Sequence, residues 1–376
     1  MILKELCKKL NDFADEKYYK KDFDKVGLFV GDMSNDIKKV LTATDVTLEN
    51  IDFAAKNGYD MILCHHPLFF DGLPTVTEEN LIQKKVRRLI KEDIAVFSMH
   101  TNLDSVPGGL NDIFCEILGL ENCSPIEQTK IPNYLFMGSI PPKYKDEVLN
   151  KIFSLGVGCK NNYKNVNFEE KITFRYTPTE GSDPFIGSEN TESIVSEQFF
   201  CILVSQNLLE KVKNTYIEAH PYEIPVYHIV ETPQYDYVPS LGRVGYLPYE
   251  MTCDEFEEYC KKAFMIKSAK SYPLADRSKK IRKVGLCSGS GGSLFEKACS
   301  LGCDAYVCGD IKHSMFLEGA DRGIFLLDLG HYETECTSAY VLENYIKQID
   351  GTIEVLNFEA HKGNRLVKKL IAEGIK

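Results

Sequence analysis

The spacing of apolar and polar positions in the first part of the chain predicts an α/β fold. Apolar residues recur at helical spacing over 2–13, and residues 39–45 form the apolar run of a buried strand. Residues 47–57 then show helical periodicity that ends at Gly58, and residues 60–64 form a second strand. Strand, helix and strand within about 25 residues are typical of a βαβ unit, which indicates a parallel sheet.

The same rhythm resumes near the C-terminus after an interruption in the middle of the chain. Between 131 and 230, strand and helix patterns surround a loop with Gly and Pro, which predicts a compact α+β insert. We therefore predict that 1–127 is the first part of the α/β domain, 128–236 the insert, and 237–376 the second part. The remaining α/β elements are predicted as helices at 78–91, from 110, at 252–264 and at 293–300, and as strands at 94–99, 283–287, 304–308 and 324–327.

A short internal match links the two parts of this α/β domain. Residues 58–64 (GYDMILC) and 302–308 (GCDAYVC) share Gly, Asp and Cys at the same spacing. Each stretch is followed by a helical pattern and by an apolar strand that ends near His and an acidic residue. Two related α/β lobes that face one another account for this match, and coincidence is the alternative.

Composition places the chain among ordinary globular proteins. Hydrophobic residues make up 44% of the 376 positions and charged residues 26%. The net charge of −11 disfavours a broad grip on nucleic acid, which depends on clustered Lys and Arg. The thirteen Cys form no C-x-x-C pair, which favours reduced thiols in a cytoplasm. No stretch approaches the ~18 apolar residues of a membrane helix, so we expect a cytoplasmic protein that does not contact membranes.

Three short segments combine His with acidic residues. They contain His65 and His66, His100 and Asp104, and His331 and Glu335, and each segment follows directly on a predicted buried strand. Ligands of open α/β sheets bind in the crevice beyond the carboxyl ends of the strands. We therefore expect the three segments to converge on one site.

The residue types in these segments predict a pair of metal ions. His65 and His66 point to opposite sides of an extended chain, so each is expected to bind a different ion. His331 and Glu335 lie one helical turn apart, so Glu335 can bridge the two ions. Asp104 supplies a second carboxylate, and such mixed ligands suit zinc, iron, manganese, cobalt or nickel. Paired divalent ions acidify water, which favours hydrolysis as the chemistry.

Other polar residues at strand ends are weaker candidates. His100 is predicted to orient a ligand or relay a proton rather than bind metal itself. Asp310 and His313 follow another predicted strand and are candidate pocket residues. The Gly- and Ser-rich loop 288–293 has two interpretations, an anion cradle made of backbone amides or a tight turn with a Ser cap. It lacks the Lys of an ATP-hydrolysing P-loop.

Four motifs together resemble one family from end to end. They are residues 23–28 (FDKVGL, where the family usually begins with Trp), 65–68 (HHPL), 100–104 (HTNLD) and 330–335 (GHYETE). The chain resembles the Nif-three-interacting family, whose bacterial members are called GTP cyclohydrolase I type 2 homologues or dinuclear metal centre proteins.

The resemblance implies a ligand set, an assembly and the class of the insert. The residues that match the family's ligands of two divalent metals are His65, His66, Asp104, His331 and Glu335. The insert, with segments 183–187 and 219–227, resembles a ferredoxin-like domain of the CutA-like or PII-like type, in which His220 and His228 are expected to be structural. The implied assembly is a toroidal homohexamer with its sites facing an internal cavity. Phe23 in place of Trp is expected to alter local packing only.

Two classes of function fit these expectations. The first is a metal-dependent hydrolase that acts on a nucleotide, and the family label implies attack of water on C8 of the guanine ring of GTP. The second is a metal-binding regulator without enzymatic activity, whose insert senses a small molecule or docks a partner. DNA binding through the hole of a ring is disfavoured by the net negative charge.

Overall fold

The computed structural model describes residues 1–160, 162–272 and 277–374. The chain divides into two compact units, of which one comprises Met1–Thr129 with Pro239–Lys376 and the other comprises Lys130–Val238. We call the first the α/β unit and the second the insert.

The helices and strands follow the apolar runs of the sequence closely in the α/β unit. The α-helices are α1 Leu3–Phe13, α2 Glu16–Tyr19, α3 Leu48–Asn57, α4 Leu81–Lys91, α5 Thr101–Ser105, α6 Leu110–Ile117, α7 Lys145–Phe153, α8 Gln206–Ala219, α9 Cys253–Ala263, α10 Phe295–Ser300, α11 His313–Arg322, α12 His331–Glu335, α13 Ser338–Ile349, α14 Phe358–His361 and α15 Arg365–Glu373. The strands are β1 Gly27–Val30, β2 Lys39–Ala43, β3 Met61–Cys64, β4 Ala95–Ser98, β5 Glu121–Pro125, β6 Gln128–Ile140, β7 Phe168–Tyr176, β8 Ser193–Ser205, β9 Tyr227–Pro239, β10 Arg243–Thr252, β11 Lys270–Ser271, β12 Lys280–Leu286, β13 Ala305–Cys308, β14 Phe325–Asp328 and β15 Glu354–Asn357.

The α/β unit contains two mixed sheets. The first has the strand order β1-β4-β3-β2-β15, and the second has the order β11-β14-β13-β12-β10-β5. The strands β15, β2, β3 and β4 are parallel, and so are β12, β13 and β14. The prediction of parallel sheets is therefore right for these seven strands, whereas β5 and β10 run antiparallel to their neighbours. The edge strands β1 and β11 are also antiparallel to their neighbours. Their short, half-buried sequences lack the long apolar run that indicates a parallel strand.

The two matched sequence stretches have the same backbone arrangement in the two sheets. Gly58 and Gly302 both end a turn with positive φ, at 66° and 69°. Two residues after each Gly, an Asp side chain accepts hydrogen bonds from two successive backbone N–H groups at the neighbouring strand. The distances are 2.7 and 2.8 Å for Asp60 and 3.0 and 2.9 Å for Asp304. Both sheets thus present their strand ends in an equivalent way.

The core of the α/β unit is built from the apolar faces of these strands and helices. Helix α1 buries Leu3, Leu6 and Leu10, which explains the helical spacing of apolar residues at the start of the chain. Within the described residues, the helices include none that is both long and apolar enough to cross a bilayer.

The insert is a sheet with two helices. Its four strands have the order β7-β8-β6-β9, and β8 runs antiparallel to both β6 and β7. Apolar residues of the strands pack with residues of α7 and α8 in a core of their own, which includes Phe136, Phe200, Ile152, Val212 and Tyr216. The predicted α+β character of this region follows from that arrangement.

Candidate metal centre

Three strand ends deliver the predicted ligands to one place in the α/β unit. His65 and His66 follow β3, and Asp104 lies in the short helix α5 just after β4. His331 and Glu335 are the first and last residues of α12, which follows β14 of the second sheet. The strands end there because the apolar runs give way to polar residues, so ligands from both sheets meet.

The distances between these side chains centre on Glu335. Its Oε1 lies 3.7 Å from His65 Nε2, which is itself 3.8 Å from Asp104 Oδ1. Its Oε2 lies 2.9 Å from the Nε2 atoms of both His66 and His331. The two oxygens of one carboxylate therefore face two separate groups of ligand atoms, which is the arrangement expected of a bridging residue.

The donor set and spacing fit divalent metal ions. Two ligand atoms bound to one tetrahedral ion at ordinary bond lengths lie about 3.4 Å apart. The observed distances of 2.9 to 3.8 Å bracket that value. The groups whose ligand atoms lie within 4.8 Å of one another are His65, His66 and His100, and His66, His331 and Glu335.

Two buried atoms at the centre have no hydrogen-bond partner among the described residues. They are His65 Nε2 and Glu335 Oε2, and both side chains are almost fully buried. The neighbouring imidazoles lie close to Oε2 but are not directed along a good hydrogen bond to it. Because buried polar atoms are nearly always satisfied, these orphans indicate a site that a cation completes.

The Nδ1 atom of each candidate ligand histidine lies against an acceptor. His65 Nδ1 lies 2.9 Å from the carbonyl oxygen of Met99, and His66 Nδ1 lies 2.8 Å from Asp45 Oδ1. An acceptor at Nδ1 places the proton there and leaves the Nε2 lone pair free for a metal.

His331, which follows the second sheet, and His100 each have an acceptor at Nδ1 as well. His331 Nδ1 lies 2.6 Å from Asp310 Oδ2, and His100 Nδ1 lies 2.6 Å from Asp24 Oδ1. Asp24 is buried and also accepts both the backbone N–H and the hydroxyl of Thr101, at 2.9 and 2.6 Å. The ring of His100 is therefore fixed beside the site, with Nε2 available.

Part of the loop 288–293 contacts the candidate ligands Asp104 and Glu335. Ser288 Oγ donates to Asp104 Oδ1 at 2.8 Å, and a Cβ on Gly289 would lie 1.9 Å from Glu335 Oε1. The amides of Ser288, Gly289 and Gly291 already donate to Asn111 Oδ1, Thr334 Oγ1 and the Gly289 carbonyl oxygen. The anion-cradle interpretation is therefore wrong for these amides, because each is already used within the fold.

Electrostatics within the cluster favour the charged forms of His66, His331 and Glu335, whereas burial raises the pKa of Asp104. Burial acts to lower the pKa of His66, but the carboxylates of Asp45 and Glu335 outweigh it and raise that pKa to about 10. Glu335 raises the pKa of His331 to about 9, against the effect of burial. Burial acts to raise the pKa of Glu335, yet the three surrounding imidazoles hold it well below its usual range. Protons here occupy positions that metal ions would take.

Sequence reasoning missed several supporting residues. Asp45 ends the predicted strand 39–45 and could have been found by the same rule as the ligands, since it also lies at a strand end. Asp24 lies far from His100 in sequence, so only the fold reveals its role. Asp310, a candidate pocket residue, orients His331. His313 is exposed at the start of α11, with its ring 6.0 Å from that of Tyr272, and is absent from both ligand groups.

Comparison with known proteins places this site in a family. A profile of the Duf34/NIF3 (NGG1p interacting factor 3) family matches residues 1–364. The chain belongs to the NIF3 family. A relative from Halalkalibacterium halodurans, named GTP cyclohydrolase 1 type 2 homolog, is 32% identical over 342 residues, which cover 90% of this chain and 91% of the relative. A relative of the same name from Staphylococcus epidermidis is 32% identical over 350 residues, 93% of each chain.

Solved structures of NIF3-related proteins share the fold. A Bacillus cereus protein related to NIF3 aligns with a TM-score of 0.81 and 27% identity, covering 94% of this chain and 96% of that one. The Staphylococcus aureus protein SA1388 aligns with a TM-score of 0.66 and 26% identity, covering 95% of each chain. The family expected from the four motifs is therefore confirmed.

Proposed function

We propose that this NIF3-family protein binds two divalent metal ions and uses them to hydrolyse a nucleotide. The observation that carries the proposal is the position of Glu335, whose two oxygens face two separate groups of imidazoles while two buried atoms lack partners. Such a centre requires ligands on both sides of a shared carboxylate. Zinc, iron, manganese, cobalt and nickel all suit the donor set.

The proposal assigns each candidate ligand to one of the two ions. His65 and Asp104 would hold one ion with Oε1 of Glu335, and His66 and His331 would hold the other with Oε2. Divalent ions held by these residues would lower the pKa of a bound water molecule toward neutrality and would polarise the substrate. Asp45 and the other Nδ1 partners keep each imidazole in the tautomer that binds metal.

His100 would move a proton during the reaction. Asp24 fixes the ring of His100 through Nδ1, so Nε2 can accept and then release a proton beside the site. The expectation that His100 acts beside the metals is supported by this dyad. Its membership in one ligand group leaves direct ligation as the competing role, and the variants below separate the two roles.

The substrate we propose is a nucleotide, with GTP as the first candidate because of the names of the relatives. The charge of the site constrains how a triphosphate could bind. The carboxylates around the centre are Asp24, Asp45, Asp104, Asp310 and Glu335, and they outnumber the positive charge of two divalent ions. We therefore expect the base or sugar to make the direct contacts and the phosphates to point away.

The test is turnover by metal-loaded protein against a nucleotide panel that includes GTP, with products identified by mass spectrometry. We expect turnover that stops after chelation and returns when the metal is restored. His100→Gln should lower kcat by about 10²-fold or more while both ions stay bound, and the exposed His313→Gln serves as matched control. Turnover that persists without metal would overturn the hydrolase proposal, and loss of an ion in His100→Gln would make His100 a ligand.

A regulator without enzymatic activity is the second candidate. It is favoured by the carboxylate-rich centre and by an insert that has its own core and cavities. We propose that the insert is a CutA-like domain, on the basis of its four strands and two helices. Retention of two ions without turnover on the panel would select this candidate.

We also propose that the protein assembles as a homohexamer in the cytoplasm and binds no nucleic acid. The thirteen free thiols suit a reducing compartment. Light scattering coupled to size exclusion tests the assembly, and the expected mass is six times the 42.6 kDa of one chain.

A further inference from the structure

The insert contains an aromatic cavity that plays no part in the metal centre. It has a volume of about 200 Å³ and lies between the end of β7, the loop that follows it, and residues 222–226 after α8. Four of its lining side chains are aromatic, namely Phe174, Tyr176, Phe185 and Tyr222.

The four aromatic rings lie next to one another along the cavity. The ring centroids of Phe174 and Tyr176 are 5.5 Å apart, those of Tyr176 and Tyr222 are 6.4 Å apart, and those of Phe185 and Tyr222 are 5.9 Å apart. Phe185 is 49% exposed although it is large and apolar. The faces of such rings carry partial negative charge, which attracts cations.

A buried carboxylate lies behind one of these rings. Glu197 is 1% exposed, and its two oxygens accept hydrogen bonds from the hydroxyls of Tyr222 and Ser139. No Lys or Arg forms an ion pair with it within the part of the chain that the structure describes. Within the described residues, its oxygens are thus held by neutral donors. Its hydrogen bond from the phenol also makes the ring of Tyr222 richer in electrons.

The rim of the cavity adds charge of the same sign. Asp183 and Glu223 line it, and the backbone N–H of Asp183 donates to Glu223 Oε2 at 3.1 Å, which joins the two loops. The lining residues include neither Lys nor Arg. The nearest basic residue in sequence, Arg175, pairs with Glu192 at 3.0 Å.

We infer that this aromatic cavity of the insert binds a small organic cation, of the quaternary ammonium or alkylammonium class. The rings of Tyr176, Phe185 and Tyr222 would contact the cationic group, and Glu197 would act through its hydrogen bond with Tyr222 as a positioning residue. The inference is independent of the hydrolase proposal, since it concerns a different part of the chain.

The test compares a cation with its uncharged isostere on the full-length protein. Choline is the probe and 3,3-dimethylbutan-1-ol is the control, because the two molecules differ mainly in charge. By calorimetric titration, choline should bind at least about tenfold more tightly than the alcohol. Equal affinities, or no binding of choline, would overturn the inference.

Variants locate the site and separate charge from shape. Phe185→Leu removes one half-exposed ring without disturbing the core, and it should weaken choline binding several-fold while leaving the alcohol unaffected. Glu197→Gln keeps one acceptor oxygen and replaces the other with an NH2 donor, so it should reduce the preference for choline over the alcohol. The exposed Glu218→Gln on α8 is the matched control. If Phe185→Leu leaves choline affinity unchanged, the cavity is not the binding site.

Discussion

Two buried histidines, one in each unit, show how the same side chain can serve different ends. His65 in the α/β unit has Nδ1 held by a carbonyl oxygen, while Nε2 faces two carboxylates without a hydrogen bond. His220 in the insert has both nitrogens satisfied, because Nε2 donates to the Ser139 carbonyl oxygen and Nδ1 accepts from the Tyr222 amide. Burial alone therefore does not distinguish a candidate metal ligand from a structural histidine. The distinguishing feature is a buried ring nitrogen without a hydrogen bond.

The largest effect should come from truncating these two residues in parallel. His65→Ala removes a ligand, so we expect the affinity for metal to fall by more than about 100-fold and the bound metal to drop below two ions per chain. His220→Ala should leave the metal content unchanged and destabilise the insert instead. Elemental analysis after dialysis measures both. Full metal content in His65→Ala would contradict our assignment.

The next effect tests the close approach of the loop to Glu335. Gly289 and Gly302 both have positive φ, at 56° and 69°, but only Gly289 faces a ligand. Ala at either site should cost about 1–2 kcal/mol through backbone strain. Gly289→Ala should in addition displace Glu335 and weaken metal binding about 100-fold, whereas Gly302→Ala should not. Chemical unfolding of the metal-free proteins and metal competition separate the two effects.

A smaller effect is expected from the carboxylates that orient the imidazoles. Asp45→Asn and Asp310→Asn keep the shape of the side chain but lower its hold on Nδ1 of His66 and His331. Each should reduce metal affinity by about 10-fold or somewhat more. The exposed Asp36→Asn provides the control. Competition with a fluorescent chelator measures the metal affinities. If both variants bind metal as tightly as the wild type, Asp45 and Asp310 do not contribute to the site.

The smallest effect concerns the pH dependence of the insert. Burial lowers the pKa of His220, against the opposing effects of the Ser139 carbonyl oxygen and Glu197. Below the ordinary His pKa of about 6.5, the unfolded chain binds more protons at His220 than the folded insert does. The contribution of neutral His220 to the stability of the insert is therefore complete above that pH and is lost as the pH falls. The slope should not exceed about 1.4 kcal/mol per pH unit for one proton. Hydrogen exchange of peptides from 130–238 at several pH values measures this slope. His220→Gln should flatten the slope, and the exposed His228→Gln is the control.

The strands that carry the ligands could be predicted because their apolar runs are unambiguous. The predictions 60–64, 94–99 and 324–327 correspond to β3, β4 and β14, and a change to polar residues marks each strand end. The edge strands β1 and β15 were not predicted. Their residues are only partly buried, so no apolar run or clear alternation distinguishes them from loops.

The candidate ligands could be predicted more fully than the residues that contact them. A His pair and two His-acid combinations at strand ends are rare enough to indicate a site from sequence alone. Asp24 and Gly289 act through contacts with residues distant in the chain, which no local pattern encodes. The role of the loop 288–293 could not be inferred either, because tight turns, anion cradles and close-packed supports share one composition.

The points where the insert leaves and rejoins the α/β unit are neighbours in space. The backbone N–H of Ser240 donates to the carbonyl oxygen of Glu127 at 2.9 Å, and Arg243 pairs with Pro125 across adjacent strands. A segment whose ends meet in this way can be exchanged without changing the path of the chain that carries the ligands. A change in the length or sequence of the insert therefore leaves the strands that position the candidate metal centre on the same path.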